Sequence, residues 1–354
     1  MTIIDRAAIE ELRTDFRRDL PVLQGSGIAG RFDAKAVDCP FVFRHDGLFH
    51  MMYVGFDGDG YQTALATSPD LLAWTYRGMM LERLDDPSRW DRVGAAGSWI
   101  LLESDELHAV PALRKVDGKY WMVYHAYPEV GYEAGGAVMG LAYCEDESLL
   151  RWTRLDRPIF AYEGGADWER GGLYKCCVIR HAEKYWMFYN AKDKDEWPWV
   201  EQTGAAWSDD LVHWTRCPEN PVLQALDNSF YRQYFSDPCI KFHAGRWYDF
   251  GFGFDGKHAQ GALAVSEDLL RWECLPEPWL PAGGPGALDE THAHKSSVIS
   301  WNGTLYHFYC ACRPAREGDP AVIDYGGGSR EFRCIAVAAS RPWAADGIPG
   351  ADAQ

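Results

Sequence analysis

One closing phrase recurs along this chain and limits what it can fold into. SPDLLAW (Ser68 to Trp74), SDDLVHW (Ser208 to Trp214) and SEDLLRW (Ser266 to Trp272) share Ser-x-Asp-Leu-x-x-Trp. EDESLLRW, ending at Trp152, is a looser copy, and ASRPW, ending at Trp343, is a degraded fifth. Each closes a unit made of a short apolar strand, a tight turn, an aromatic strand and a strand of small residues. Self-similarity at this period, with four strand-like runs per unit, is the signature of a β-propeller. The expected fold is therefore all-β: a five-bladed β-propeller with four antiparallel strands per blade, preceded by a short N-terminal helix. A β-sandwich would leave five copies of one unit unexplained.

The turns agree. HDG after VDCPFVF, Asp117–Gly118, Ala244–Gly245 and Asn302–Gly303 each separate two apolar runs. Such pairs favour two-residue hairpins because both turn positions can take positive φ. The Ser-x-Asp-Leu segments read as side-chain-capped turns with Leu and Trp packed between blades, and carry no chemistry. MTIIDRAAIEELRTDFRRDL reads as a short amphipathic helix capped by Asp5 and lacks the apolar core of a signal peptide. The division is a helical extension over 1–30 and a catalytic propeller over 31–345.

A formal charge of −17 argues against nucleic acid or an anionic membrane surface as partner. No run of 18 apolar residues is present, so no membrane span is expected. Seven of the ten cysteines, among them Cys39, Cys176, Cys177 and Cys310, fall inside apolar strand-like runs. There a free thiol behaves as a small hydrophobe. The expectation is a reduced, cytoplasmic protein.

A propeller gathers one residue per blade around its axis. The start of each inner strand, the end of the second and the loop into the third share a face, where function concentrates. Aligning the units by their hairpin turns, to within one residue, places Asp38, Ala109, Tyr174, Asp237 and His294 at the inner position, with His108 and Lys175 beside it. Asp38 and Asp237 both precede apolar strands. Two aspartates from separate units point to a shared pocket; the plainer reading is turn capping. His292 and His294 alternate to one face in THAHKSSVI, where Lys295 has the same offset as Lys175. Two inner lysines in so acidic a chain suggest an anionic substrate group, a uronate or phosphate; ion pairs with Asp38 or Asp237 are the alternative.

With Asp-x-Pro and Asp-Pro opening inner strands and hairpins such as DGKYWMVY, the chain resembles glycoside hydrolase families 43, 32, 117 and 130 over about Arg31 to Ser340. The resemblance implies a five-bladed propeller that cleaves a furanoside or related bond in an oligosaccharide. It implies that Asp38 is the base or nucleophile and that Asp237 stabilises the transition state or tunes the acid. The pattern then breaks. The family's acid glutamate opens the third inner strand, where this chain has Tyr174 and Lys175, and Ala112 replaces the second-blade aspartate. Glu201, entering the third strand of the same unit, is the first candidate for the acid and Glu106 the second; Glu169 and a histidine remain open. One carboxylate must act on water or the anomeric carbon while another group protonates the leaving oxygen.

Trp197 and Trp199, in KDKDEWPWVE, are candidate stacking platforms for a sugar ring. The chemistry requires no cofactor. The resemblance also implies a calcium ion near the central channel beside His294, with sugar hydrogen bonding by His108, Lys175, His292, His294 and Lys295 as the other use of these residues. Besides hydrolysis, two functions are carried forward: phosphorolysis, with Lys175, Lys295 and Arg232 around phosphate, and carbohydrate binding without catalysis.

Overall fold

The computed structural model describes residues 3–344, so positions 1, 2 and 345 of the expected divisions lie outside the described residues. The chain is all-β; its helical content there is one helix, Arg6–Glu10, capped by the Asp5 carboxylate, and a single turn at Asp167–Glu169. Hairpin units follow one another. The first is Ala36–His45, Leu48–Phe56, Tyr61–Ser68 and Thr75–Leu81, antiparallel in that order. The third repeats it with Gly172–His181, Lys184–Lys192, Glu201–Ser208 and Thr215–Arg216. The fourth is interrupted: Tyr234–Ser236 and Ile240–His243 pair with Phe252–Phe254 and Arg246–Asp249. The fifth has His292–Trp301, Thr304–Pro314 and Arg330–Ala339. Its outer strand comes from the other end of the sequence: Phe16–Arg17 and Leu23–Gln24 pair with Arg330–Ala339. No sheet closes on itself. Residues 16–24 thus contribute strand to the segment expected to be a helical extension.

The repeated punctuation has a physical basis. Leu71, Leu149, Leu211 and Leu269 all take positive φ, between 58° and 69°. Each is buried to 2% exposure or less. Asp70, Asp210 and Asp268 each accept two backbone N–H groups of the turn that follows. The indole N–H of Trp74, Trp152, Trp214 and Trp272 donates to the carbonyl of the leucine three residues back, at 2.7–3.0 Å. These tryptophans are half-buried, so they staple the turn instead of filling the core. The hairpins use paired positive φ as expected, at 46–47, 117–118, 244–245 and 302–303; the third unit does so with Ala182 and Glu183, without a glycine.

The second unit departs from the expectation. Its inner strand is Ala95–Ile100, paired with Lys119–Ala126, and not VPALRK, of which only Lys115 joins the turn-flanking pair Lys115–Val116. AAGSWI hides its identity because four of its six residues are small. Residues 101–114 wrap outside the sheet, which removes Ala109 and its neighbours from the inner position.

Candidate active site

Every inner strand carries one surplus residue at the same height. In the first unit Asp38 faces Val54 and Phe41 faces Met52, three steps against two. The same offset falls between Gly97 and Trp99, Tyr174 and Cys176, and His294 and Ser297. It recurs where the fourth unit breaks, between Ser236 and Ile240. A bulge leaves one residue unpaired and re-aims its side chain. The residues after the last regular pair are Cys39, Ser98, Lys175, Asp237 and Lys295, and Cys39, Asp237 and Lys295 have φ of 48°, 52° and 60°. Four of them line a cavity of about 880 Å³; Ser98 reaches it through His125, its Oγ lying 3.0 Å from Nδ1.

Asp38 lies one residue before this position, with the backbone register of Tyr174, Ser236 and His294. Its carboxylate is 1% exposed and is not among the groups lining the cavity. Lys295 Nζ and Arg333 Nη1 donate to Oδ2 at 2.7 and 2.6 Å, and Cys39 N donates to Oδ1 at 2.8 Å. Burial alone would raise its pKa, but Lys295, Arg333 and His294 overcome that and hold it well below the usual carboxylate range. The ion-pair alternative is thus realised for Lys295, which also lies 3.7 Å from Glu133.

Glu201 does line the cavity. Trp199 Nε1 donates to Oε1 and Ser236 Oγ to Oε2, both at 2.8 Å. Burial pushes its carboxyl up to about 7, aided by the charges of Glu133 and Asp237 and opposed by Lys192 and the Trp199 bond. Asp237 sits beside it. Asn190 clasps Asp237 on both sides, donating from Nδ2 to Oδ1 and accepting the backbone N–H at 2.7 Å, while Oδ2 has no partner among the described residues. Burial raises the pKa of Asp237, against Lys175 and Lys295. Lys175 Nζ is likewise buried and without a hydrogen-bond partner among the described residues.

His292 and His294 line the same cavity. His292 Nδ1 accepts from Ala259 N at 2.9 Å, and His294 Nδ1 lies 3.1 Å from the Cys310 carbonyl. Burial lowers the first to about 4 and the second well below its usual value, with Lys295 and Arg333 adding to it, so neither is an imidazolium donor at neutral pH. Calcium does not fit here: it takes six to eight oxygen ligands, whereas His294 is grouped with the thiols of Cys310 and Cys312 and with two cations. Trp197 and Trp199 meet edge to face at 5.1 Å, Trp199 stacks on Tyr234, and Trp197 is 57% exposed at the rim.

Glu106 and His108 are not brought to the cavity. Glu106 bridges to Phe242, and His108 packs on His243 at 5.0 Å, beside the Ala244–Gly245 turn at the far end of the strand from Asp237. Glu169 is buried in bonds to Tyr189 and Arg216. Arg232 is exposed and outside the cavity lining. Sequence reasoning missed Glu133, Asn190, His125 and Arg333, all of which line the cavity. Glu133 enters the third strand of its unit from the same loop position that singled out Glu201, so that signal was available.

The sequence profile described as "Glycosyl hydrolases family 32 N-terminal domain" matches residues 111–292, just over half of the sequence. The protein belongs to this family. Within the propeller-type glycoside hydrolase superfamily, this family 32 member has neighbours of both hydrolase and phosphorylase type. A solved complex of BT0996 with RGII has a TM-score of 0.79 and 28% identity, covering 98% of this chain and 99% of that one. A thermostable family-43 glycoside hydrolase, at TM-score 0.60 and 16% identity over 88% and 91% of the two chains, shares the fold. The 1,2-beta-oligomannan phosphorylase of Thermoanaerobacter sp. (strain X514) is 27% identical over 117 residues, 32% of this chain and 31% of that protein. That match therefore spans about a third of the relative's length.

Proposed function

We propose that this protein is a glycosidase that hydrolyses a furanoside or related bond in an oligosaccharide, at the mouth of a five-bladed propeller formed by residues 31–345. The observation that carries the reading is Glu201, a carboxyl with pKa near 7 in a cavity it shares with the carboxylates of Glu133 and Asp237. Acid catalysis is most efficient when the donor's pKa lies near the working pH. Glu201 gives its proton to the leaving oxygen. Glu133, which accepts from Tyr61 OH at 3.3 Å and lies beside Lys295, acts on the anomeric carbon or on water. Asp38 holds Lys295 and Arg333 in place behind it. Asp237 tunes Glu201 across Ser236, whose Oγ is 2.8 Å from Glu201 and 3.4 Å from Asp237. The scheme calls on no cofactor. The absence of disulfides among ten free thiols supports action in the cytoplasm on an imported substrate.

The match to a phosphorylase favours a second reading, in which phosphate replaces water. Aryl furanosides and plant or bacterial oligosaccharides, incubated with and without phosphate, separate the two. Free sugar released at a phosphate-independent rate is expected. Sugar 1-phosphate formed only with phosphate would establish the second reading, and binding without turnover would defeat both.

A further inference from the structure

We propose that Lys175 and Asp237 form a subsite for a neutral, hydroxyl-bearing sugar ring, reading one hydroxyl or an adjacent pair from both sides, and that the cavity is not built for an anion. The inference rests on the carbohydrate reading above and narrows its substrate class. Both residues occupy the bulge position of neighbouring inner strands, and both are 4% exposed. Lys175 Nζ and Asp237 Oδ2 each lack a hydrogen-bond partner among the described residues, and no ion pair joins them. Buried polar groups left unmatched are costly, the more so when charged. Here they face the largest cavity described, which assigns the missing partner to a ligand.

The chemistry of that partner follows from the pair. An ammonium only donates, and an ionised carboxylate only accepts. A hydroxyl accepts from one and donates to the other, so a sugar's hydroxyls satisfy both groups at once. A phosphate or uronate would answer Lys175 but would meet the Asp237 carboxylate. The remaining cations do not alter this. Lys295 and Arg333 share Asp38, and Arg333 also donates to Glu331 at 2.9 Å. Lys192 lies over the rings of Tyr174 and Trp199, at 4.4 and 4.2 Å, on the side of Glu201. No cation of the described cavity wall is left in surplus for an anionic ligand.

The test is binding, which does not depend on turnover. L-Arabinose, D-galactose, D-mannose, D-galacturonate and inorganic phosphate are titrated calorimetrically into the wild type and into Lys175→Met, Asp237→Asn and the double variant, after melting curves establish that each is folded. A hydrogen bond to a charged group is worth about tenfold or more in affinity. At least one neutral sugar should bind more tightly than galacturonate and phosphate and lose about tenfold in each single variant. The double variant should lose less than the product of the two, because both groups grip the same ligand. Tighter binding of galacturonate or phosphate with loss in Lys175→Met, wild-type affinity in the single variants, or failure of every neutral sugar to bind would each overturn the proposal. Should Asp237→Asn fail to fold, Lys175→Met and Lys175→Gln carry the test. Intact sugar binding without bond cleavage would instead defeat the hydrolase reading alone.

Discussion

Asp38→Asn is the most informative single change, because the structure alters what it should do. Sequence reasoning makes Asp38 the reacting carboxylate and expects its amide to fold normally with turnover down more than about a hundredfold. The geometry adds a structural cost. Asp38 is buried against two cations, at 2.7 and 2.6 Å, and the amide leaves both Lys295 and Arg333 without its charge. Removing one partner of a buried ion pair costs about 3–5 kcal/mol, which for a chain of this size corresponds to roughly 10 °C in melting temperature. The pH dependence gives a sharper signature. The folded pKa of Asp38 lies below its unfolded value. Its contribution is therefore complete above about pH 4, the unfolded carboxylate value, and is lost as pH falls through the folded value. The stability gap between wild type and variant, from urea titrations at pH 7 down to pH 3, should shrink with acid. A melting change under about 2 °C at pH 7, or a gap that does not vary with pH, would refute the placement of Asp38 in a buried ion cluster. Adding Lys295→Met to Asp38→Asn should recover part of the loss, since the two sites are coupled.

Glu201→Gln should slow substrates with poor leaving groups by about a hundredfold or more and activated aryl glycosides far less. In the wild type the rate should fall as pH rises through about 7, where the donor loses its proton, and that limb should vanish in the variant. Glu106→Gln, at the far end of the fold, should leave kcat/KM unchanged; a leaving-group-dependent loss there would move the acid. Trp214→Ala removes a half-buried staple and should cost about 2 kcal/mol, less than the 3–5 expected of a fully buried tryptophan, with turnover of folded enzyme intact. Glu183→Gly relieves positive φ at 62° and should raise stability by about 1 kcal/mol, since the Arg180 ion pair it forfeits is exposed; a lower melting temperature would count against that account.

The repeat was legible because its parts are local. Ser-x-Asp-Leu-x-x-Trp builds its own turn, and Asn-Gly or Asp-Gly builds its own hairpin, whatever the rest of the chain does. Glu201 was legible for a similar reason, being fixed by its position at the start of a third strand. The bulges were not, since an extra residue shows itself only against a partner strand, and one residue of register separates Asp38 from Cys39 and His294 from Lys295. Arg333 was hidden too: its partner Asp38 lies 295 residues away. The second inner strand escaped notice because Ala95, Ala96, Gly97 and Ser98 carry little β signal, whereas VPALRK sits before a strong Asp-Gly turn.

The pairing of Phe16–Arg17 and Leu23–Gln24 with Arg330–Ala339 has a consequence for biosynthesis. Residues translated near the start form the outer edge of a sheet whose other strands are made some 300 positions later. Until Ala339 clears the ribosome, both Phe16–Leu23 and the nascent fifth unit present unpaired strand edges. Such edges are templates for pairing with another chain. Ribosome-bound intermediates should therefore be the stage at which this protein most needs a chaperone, and the last segment to emerge is the one that releases it.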